Sequence, residues 1–469
     1  MKAKGEITAF LSLVFVLMVA FIAAMIQSAN IHTSRNEKRL EVDRAIYSLF
    51  GEYQKKLLEK YHIFALDGSY ETGTYDEENL IHRLRYYGAM GMTHEIEALQ
   101  LLSDNSGQAF REQVLLYMEE RYGIGLVKDF SGFTKEWSEQ VVNGEQVWDK
   151  EQGVQDELSE TLLEHEEFLP DEDNPLSHTS ELKGKSLLSL ILPKEQSVSQ
   201  KAITRERQAS VRTLRKGYGT LPMPPSRDGV MDKLLFQEYI LKEFSHAVSH
   251  HSKEMGEMGS GEKLSEKRNL SYEIEYILEG KSSDKGNLEA VAAKLLGIRM
   301  GLNYLHLLGN HTLRAQAKAL AATMATLLTA PGIMLLIEQA LLVAWAFGES
   351  IMDLRSLLAG KRVAIVKNTA NWQLSLSSLL TLGTNEDIGD GSDTTGGMSY
   401  EDYLRMLLFV KSSETTTMRT LDRVEQNMIH EEEKTYFRVD NCVMGVQIHN
   451  QAIIGSGWTY DFPVYFGYR

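Results

Sequence analysis

This sequence predicts an α+β fold that is mostly α. A long N-terminal transmembrane and stalk helix leads into a helical ectodomain and a small C-terminal β element. Three observations carry that prediction. Residues 7–26 read ITAFLSLVFVLMVAFIAAMI, with no charge, proline or glycine. Apolar residues then recur at helical spacing through much of the chain. From Trp458 on, Trp458, Tyr460, Phe462, Val464, Phe466 and Tyr468 share one parity, the period of a strand.

About 20 apolar residues, rising ~1.5 Å each in a helix, cover the roughly 30 Å hydrocarbon core of a bilayer. A helix is also the single element that satisfies its own backbone there. Residues 1–6 form a short leader with Lys2 and Lys4. A cleaved signal would have a shorter apolar run and a small-x-small site. Ala23, Ala24, Ser28 and Ala29 form no such pattern, so 7–26 is read as a permanent anchor. The sole cysteine, Cys442, lies far downstream, which excludes a bacterial lipid anchor. A Lys/Arg count over the short flanks slightly favours the C-terminal side inside. The basic leader before an apolar run favours the opposite, and we expect a single-pass cell-membrane protein with its large C-terminal domain extracellular.

From Gln27 to Lys60 there is no proline and one glycine, Gly51. Val42, Ile46, Leu49, Tyr53 and Leu57 follow steps of four and three, which is one helical face. The spacing predicts a stalk over 27–60 that continues the span, a helix of about 80 Å in all. The stripe is expected to pack on the ectodomain or on neighbouring stalks, allowing self-association through this helix.

The Lys-rich leader, Gly5, the apolar helix and then SANIHTSRNEKRLEVDRAIYSLFGEY resemble the N-terminal region of the pseudopilin-like assembly proteins of Tad (Flp) pili. Further segments are YEIEYILEGK (272–281) with Asp284, Asn287 and Leu288, AWAFGESIMDLRSLLAGKRVAIVK (344–367) and SYEDYLRMLLFVK (399–411). Through them most of the chain, except roughly 130–220, resembles a family of uncharacterised Gram-positive membrane proteins associated with Tad pilus gene clusters. The resemblance implies a pilus-assembly role, with the membrane and other pilin-like proteins as partners. Type IV pilins are cut after a glycine and carry a glutamate at the fifth mature position. Gly5 and Glu6 are therefore the candidate leader-processing pair, but cutting there would put Phe10 at that fifth position. The competing reading of Gly5 and Glu6 is a polar linker at the membrane edge.

Of 469 residues, 43% are hydrophobic and 24% charged, values of a globular chain that folds rather than dangles. The net charge of −16 argues against nucleic acid as a partner. One cysteine excludes a disulfide framework, and Cys442 is read as a small buried residue of a strand. The domain plan is 1–6 leader, 7–26 transmembrane helix, 27–60 stalk, 61–225 a helical region with a charged insertion at 131–220, and 226–469 a helical body ending in strands.

Residues 61–130 read as short helices around turns. Within the insertion, the acid-rich 156–175 is followed by a basic run of Lys201, Arg205, Arg207, Arg212, Arg215 and Lys216. Two solvated helices and a loop explain these runs more simply than a docking module. TLPMPPSRDG (220–229) is a break, and DKLLFQEYILKEFSHAV begins the helical body. Residues 319–347 are strongly apolar but divided by Pro331-Gly332; the pieces are short for spanning, so a buried helical hairpin is expected, with membrane insertion as the alternative. VAIV (363–366) and the segment around Cys442 read as strands, and Pro463 points to an edge.

No catalytic constellation, cofactor site or metal site is expected. His246 and His250 are i and i+4 and come nearest to a metal pair, but no HExxH glutamate accompanies them, and a solvated helix end is the simpler reading. Gly280-Lys281-Ser282 and Gly184-Lys185-Ser186 lack the first glycine of a phosphate loop, so Gly280 reads as a helix C-cap. TNEDIGDGSDTTGG (384–397) lacks calcium-loop spacing, and Ser399 with Asp402 reads as a capping box. Glu338, Glu349 and Asp353 form an acidic face on an apolar helix. Acids there need partners or become neutral; ion pairing with the nearby Arg355, Lys361 and Arg362 is preferred over acid–base chemistry. The expectation is a non-enzymatic surface component of a Tad-type pilus or related secretion system. The alternative is a membrane-tethered envelope enzyme or sensor ectodomain.

Overall fold

A computed structural model describes the chain except residues 1, 2, 124, 126–131, 133, 165–173, 194–196, 223–225, 250–266, 329, 330, 385, 386, 388, 390, 456 and 469. It also leaves the side chains of 3–6, 145, 147–152, 155 and 162–164 undescribed. The chain divides into two compact units, residues 1–113, 213–226 and 432–469 in the first, and 114–212 and 227–431 in the second.

The first unit opens with α1, Ala3–Phe50, unbroken as the absence of proline requires. It stops short of the expected residue 60. Gly51 begins a turn, and a separate helix α2 runs Lys55–Tyr61. β1 (Leu66–Asp67), α3 (Glu77–Tyr86), β2 (Met92–Leu101) and α4 (Asp104–Tyr122) follow, α4 passing into the second unit at Val114. Asp76 caps α3 by accepting from the Glu78 N–H. β3 (Cys442–Ile454) and β4 (Trp458–Gly467) complete an antiparallel sheet in which β3 pairs with β2, with β4 and, at Cys442 and Val443, with β1.

β2 is a correction to the expected short helices over 61–130. Met92, His94 and Ile96 are buried and Thr93, Glu95 and Glu97 exposed, the alternation of a strand with one wet face. The pattern is masked in sequence because a histidine holds a core position. His94 sits between Asn450 Oδ1 at 2.7 Å and the Ala89 carbonyl at 2.9 Å. Leu80 and Leu84 of α3 and the inner faces of β2, β3 and β4 close the core of this unit.

The second unit is helical. Its elements are α5 (Thr134–Glu164), α6 (Pro175–Lys183), α7 (Leu187–Ile191), α8 (Val230–Glu243), α9 (Glu273–Glu279), α10 (Asp284–Gly309), α11 (His311–Leu327), α12 (Met334–Leu358), α13 (Tyr400–Val410) and α14 (Ser413–His430). α12 is buried along nearly all its length. The stretch Pro331–Leu358 is long and apolar enough to cross a membrane, yet 67% of its apolar 18-residue segment is buried within the fold. α12 is therefore core, whereas α11 buries Ala317, Ala321, Met324 and Ala325 and leaves most of its surface exposed, so the burial expected of the two pieces divided at Pro331-Gly332 holds for the second. α5 crosses α10 through glycine: a Cβ on Gly144 would lie 2.8 Å from Ile298 Cα and 2.9 Å from Gly297 O.

Three local expectations resolve differently. Arg205–Arg207 form one 3-10 turn, not a solvated helix. Val363 makes only an isolated bridge to Met398. The helix read through Val248 stops at Glu243. Two hold. Gly280 takes φ +67° as the C-cap of α9, and Ser399 and Asp402 form the capping box of α13.

Candidate functional site

Two features carry chemistry: the surface of α1 in the first unit and the buried ionic clusters of the second. Along α1, apolar side chains from Ile7 to Ile26 lie bare; Phe10, Phe15 and Phe21 are 65–66% exposed. A run of this hydropathy, 0% buried, is long and apolar enough to cross a membrane. Of the predicted stripe, Val42, Ile46 and Leu49 are fully buried against β2, β3 and β4. Leu57 is buried on α2, and Tyr53 lies half-buried in the connection, edge-on to Phe64. The stripe thus splits at Gly51, and its first half faces the chain's own sheet. Gly5 and Glu6 lie within α1, with side chains outside the described set.

The turn after α1 is fixed by polar contacts. Glu52 accepts from Tyr87 Oη at 2.6 Å and from Arg83 Nε at 3.0 Å. Nearby, Gln54, Asp67, Glu71, Glu432, Lys434 and Tyr436 line a half-open cleft of about 450 Å³. Its acids are committed: Asp67 to Ser69 and the Glu71 N–H, Glu432 to Lys56 and Lys60, and Glu71 to Lys434.

In the second unit the acidic face of α12 separates into two sites. Glu338 accepts from Arg314 at 2.9 Å. Glu349 and Asp353, one turn apart, converge on Lys367 Nζ, each at 2.6 Å. Asp353 is also held by Arg299 and Asn303, and Glu349 by the N–H groups of Gln373 and Leu374. Burial raises the Glu349 pKa, and Lys367 works against that rise. The acids are ion-paired as expected, but not with the expected partners. Arg355 instead clasps Asp387 through both terminal nitrogens, at 2.8 and 2.7 Å, and Lys361 reaches the Gly391 carbonyl. That contact gives Asp387, from the acidic loop weighed for calcium, a structural partner.

A second buried cluster, missed in sequence, surrounds α9. Glu273 meets Arg268 at 2.5 Å, Asn427 at 2.6 Å and Arg423 at 3.4 Å. Burial alone would raise its pKa, but Arg268 and Arg423 hold it down to about 2. Glu275 has no cation partner among the described residues. Burial pushes it up to about 7, with Tyr400 Oη at 2.8 Å and the Ala247 N–H at 2.9 Å on Oε1. Its Oε2 has no hydrogen-bond partner among the described residues. Asp422, bound by Ser210 and Tyr276, is raised by burial to about 6. The signal was present in YEIEYILEG: Glu273 and Glu275 are interleaved with Ile274, Tyr276, Ile277 and Leu278 on a short helix whose third acid, Glu279, stands at its end.

His246 is buried after the end of α8, with Nδ1 accepting from the Ser249 N–H at 3.3 Å. Its proposed partner His250 lies outside the described residues. No group of three or more histidine, cysteine, aspartate or glutamate residues is placed to hold a metal among the described residues. Cys442, the sole cysteine, opens β3 and is buried, its thiol donating to the Arg438 carbonyl at 3.4 Å.

Residues 165–453 match DUF5702, described only as a family of unknown function. The chain belongs to DUF5702. No curated protein and no solved structure matches it. The DUF5702 match covers α6 to α14 and nearly all of β3, with both buried clusters, and leaves α1 and β2 outside it.

Proposed function

We propose that this DUF5702 protein is a non-enzymatic, membrane-anchored surface component of a Tad/Flp-type pilus or related secretion system, with an assembly, minor pseudopilin-like or adhesion role. The observation that carries the reading is the division of α1. Its first half is a bare apolar rod, and its second half packs on an antiparallel sheet of the same chain. A rod of this kind fits one of two surroundings, lipid or the apolar helices of other subunits. In this reading the anchor is single-pass, the large C-terminal part is extracellular, and neighbours join through the exposed helix. The non-enzymatic assignment is supported by the commitment of Glu273, Glu349, Asp353 and Asp422 to arginine, lysine, asparagine, serine, tyrosine and backbone partners.

The test is to tag the C-terminus and fractionate sheared pili from membranes. Co-purification with pili is the expected result. Retention only in membranes, with normal piliation in a deletion strain, would sink the proposal. N-terminal sequencing of the same material reads whether the chain is cut between Gly5 and Glu6.

A further inference from the structure

The cluster on α12 is arranged for a covalent step. Lys367 Nζ is 2.6 Å from Asp353 Oδ1 and 2.6 Å from Glu349 Oε1. On the far side, Asp353 Oδ2 accepts from Arg299 Nε and Asn303 Nδ2, both at 2.9 Å. Glu349, Asp353, Arg299 and Asn303 are all 0% exposed and Lys367 is 5% exposed. The site therefore holds an amine, a carboxyl carbon, two donors on the oxygen that would gain negative charge, and a second carboxylate on the amine. Keeping four charges in a dry interior is costly even when they pair. Amide formation removes two of them.

We propose that Lys367 and Asp353 condense to an intramolecular amide, with Glu349 carrying the proton and Arg299 and Asn303 stabilising the oxyanion. A proton first passes from the Lys367 ammonium to Asp353 Oδ1, giving a neutral amine and a carboxylic acid. Nζ attacks Cγ, and the negative charge builds on Oδ2, against the two donors. Glu349 takes a proton from Nζ and delivers it to the departing Oδ1 hydroxyl, which leaves as water. One N–C bond forms, one C–O bond breaks, and no oxidant, reductant or cofactor is consumed. Held proximity supplies the drive that the free groups lack in water. Burial, which raises the Glu349 pKa, suits it to carry a proton in both directions. The product ties the segment after α12 back onto that helix, closing a loop from 353 to 367. This inference does not depend on the pilus reading.

Peptide mapping by mass spectrometry tests it on the full-length chain, purified in detergent and digested under denaturing conditions. The expected result is a linked pair of peptides containing Asp353 and Lys367, lighter than their sum by one water. In unfolded wild type, Lys367 should resist an amine-reactive reagent. Glu349→Gln, shown by circular dichroism to be folded, should leave the two peptides separate and Lys367 reactive. Separate peptides in the wild type overturn the proposal whatever the variant does. Full linkage in Glu349→Gln overturns the role given to Glu349.

Discussion

The Tyr468 hydroxyl donates to the backbone carbonyl of Phe50 over 2.5 Å. Phe50 is the last residue of α1, where helix carbonyls lack intrahelical partners. The end of the chain thus caps its long first helix. Phe466 reinforces the join, with its ring 4.6 Å from that of Phe50. Tyr468→Phe keeps the ring and removes the donor to a half-buried carbonyl. A loss of about 1 kcal/mol is expected, read as a lower denaturation midpoint.

The stripe on α1 makes a sharper contrast. Ile46 is 2% exposed and Leu40 is 65% exposed on the same helix. Ile46→Ala should cost about 2–5 kcal/mol, because it opens a cavity against the sheet. Leu40→Ala should stay within about 0.5 kcal/mol in the isolated protein. Denaturant unfolding in detergent distinguishes them, and equal costs would mean that the stripe does not face the chain's own core.

Glu275 and Asp422 predict a pH dependence. Burial raises their folded pKa values to about 7 and about 6, above the ordinary carboxylate range. Groups raised in this way contribute stability that is full below the unfolded pKa and is lost as pH rises through the folded one. The second unit should weaken from about pH 4.5 to about pH 7. Glu275 alone accounts for on the order of 3 kcal/mol of that change. Glu273, held down to about 2, acts oppositely and matters only as pH falls below the ordinary carboxylate range. Glu275→Gln should flatten the slope, measured as the urea midpoint from pH 5 to 8. An unchanged slope would remove Glu275 as its source.

Two glycines of α5 should respond with opposite signs. A Cβ on Gly144 would press on the backbone of α10, whereas one on Gly153 would meet nothing within 4 Å. Gly144→Ala should cost about 1–3 kcal/mol through overpacking. Gly153→Ala should gain about 0.5–1 kcal/mol, because alanine restricts the unfolded chain and favours helix. Thermal melts of the two variants check the pair. A stabilising Gly144→Ala would mean that the helices do not approach so closely.

Much of the fold was legible because its signals are local. The apolar run, the helical spacing around Val42 to Leu49, the Gly280 and Ser399 caps and the period-two C-terminus each depend on residues close in sequence. β2 was missed because His94 occupies a core position that a pattern search treats as polar. Its meaning depends on Asn450, a residue of β3 more than three hundred positions away. The partners of the acidic face were missed for a related reason. Arg355 is two positions from Asp353 in sequence, yet its contacts are with Asp387 and the Leu190 carbonyl, while Asp353 is held by Arg299 from another helix.

The sequence by itself determined a bare apolar rod, a mostly helical body and the end in strands, since hydropathy and periodicity act within a few turns. Tertiary structure alone decided where α1 stops, that its stripe faces the protein's own sheet, and which cation meets which buried carboxylate. The physical reason is desolvation. A carboxylate withdrawn from water is either paired by whatever residue the fold brings within about 3 Å or, like Glu275, driven toward its neutral form, and that choice is set by packing rather than by distance along the chain.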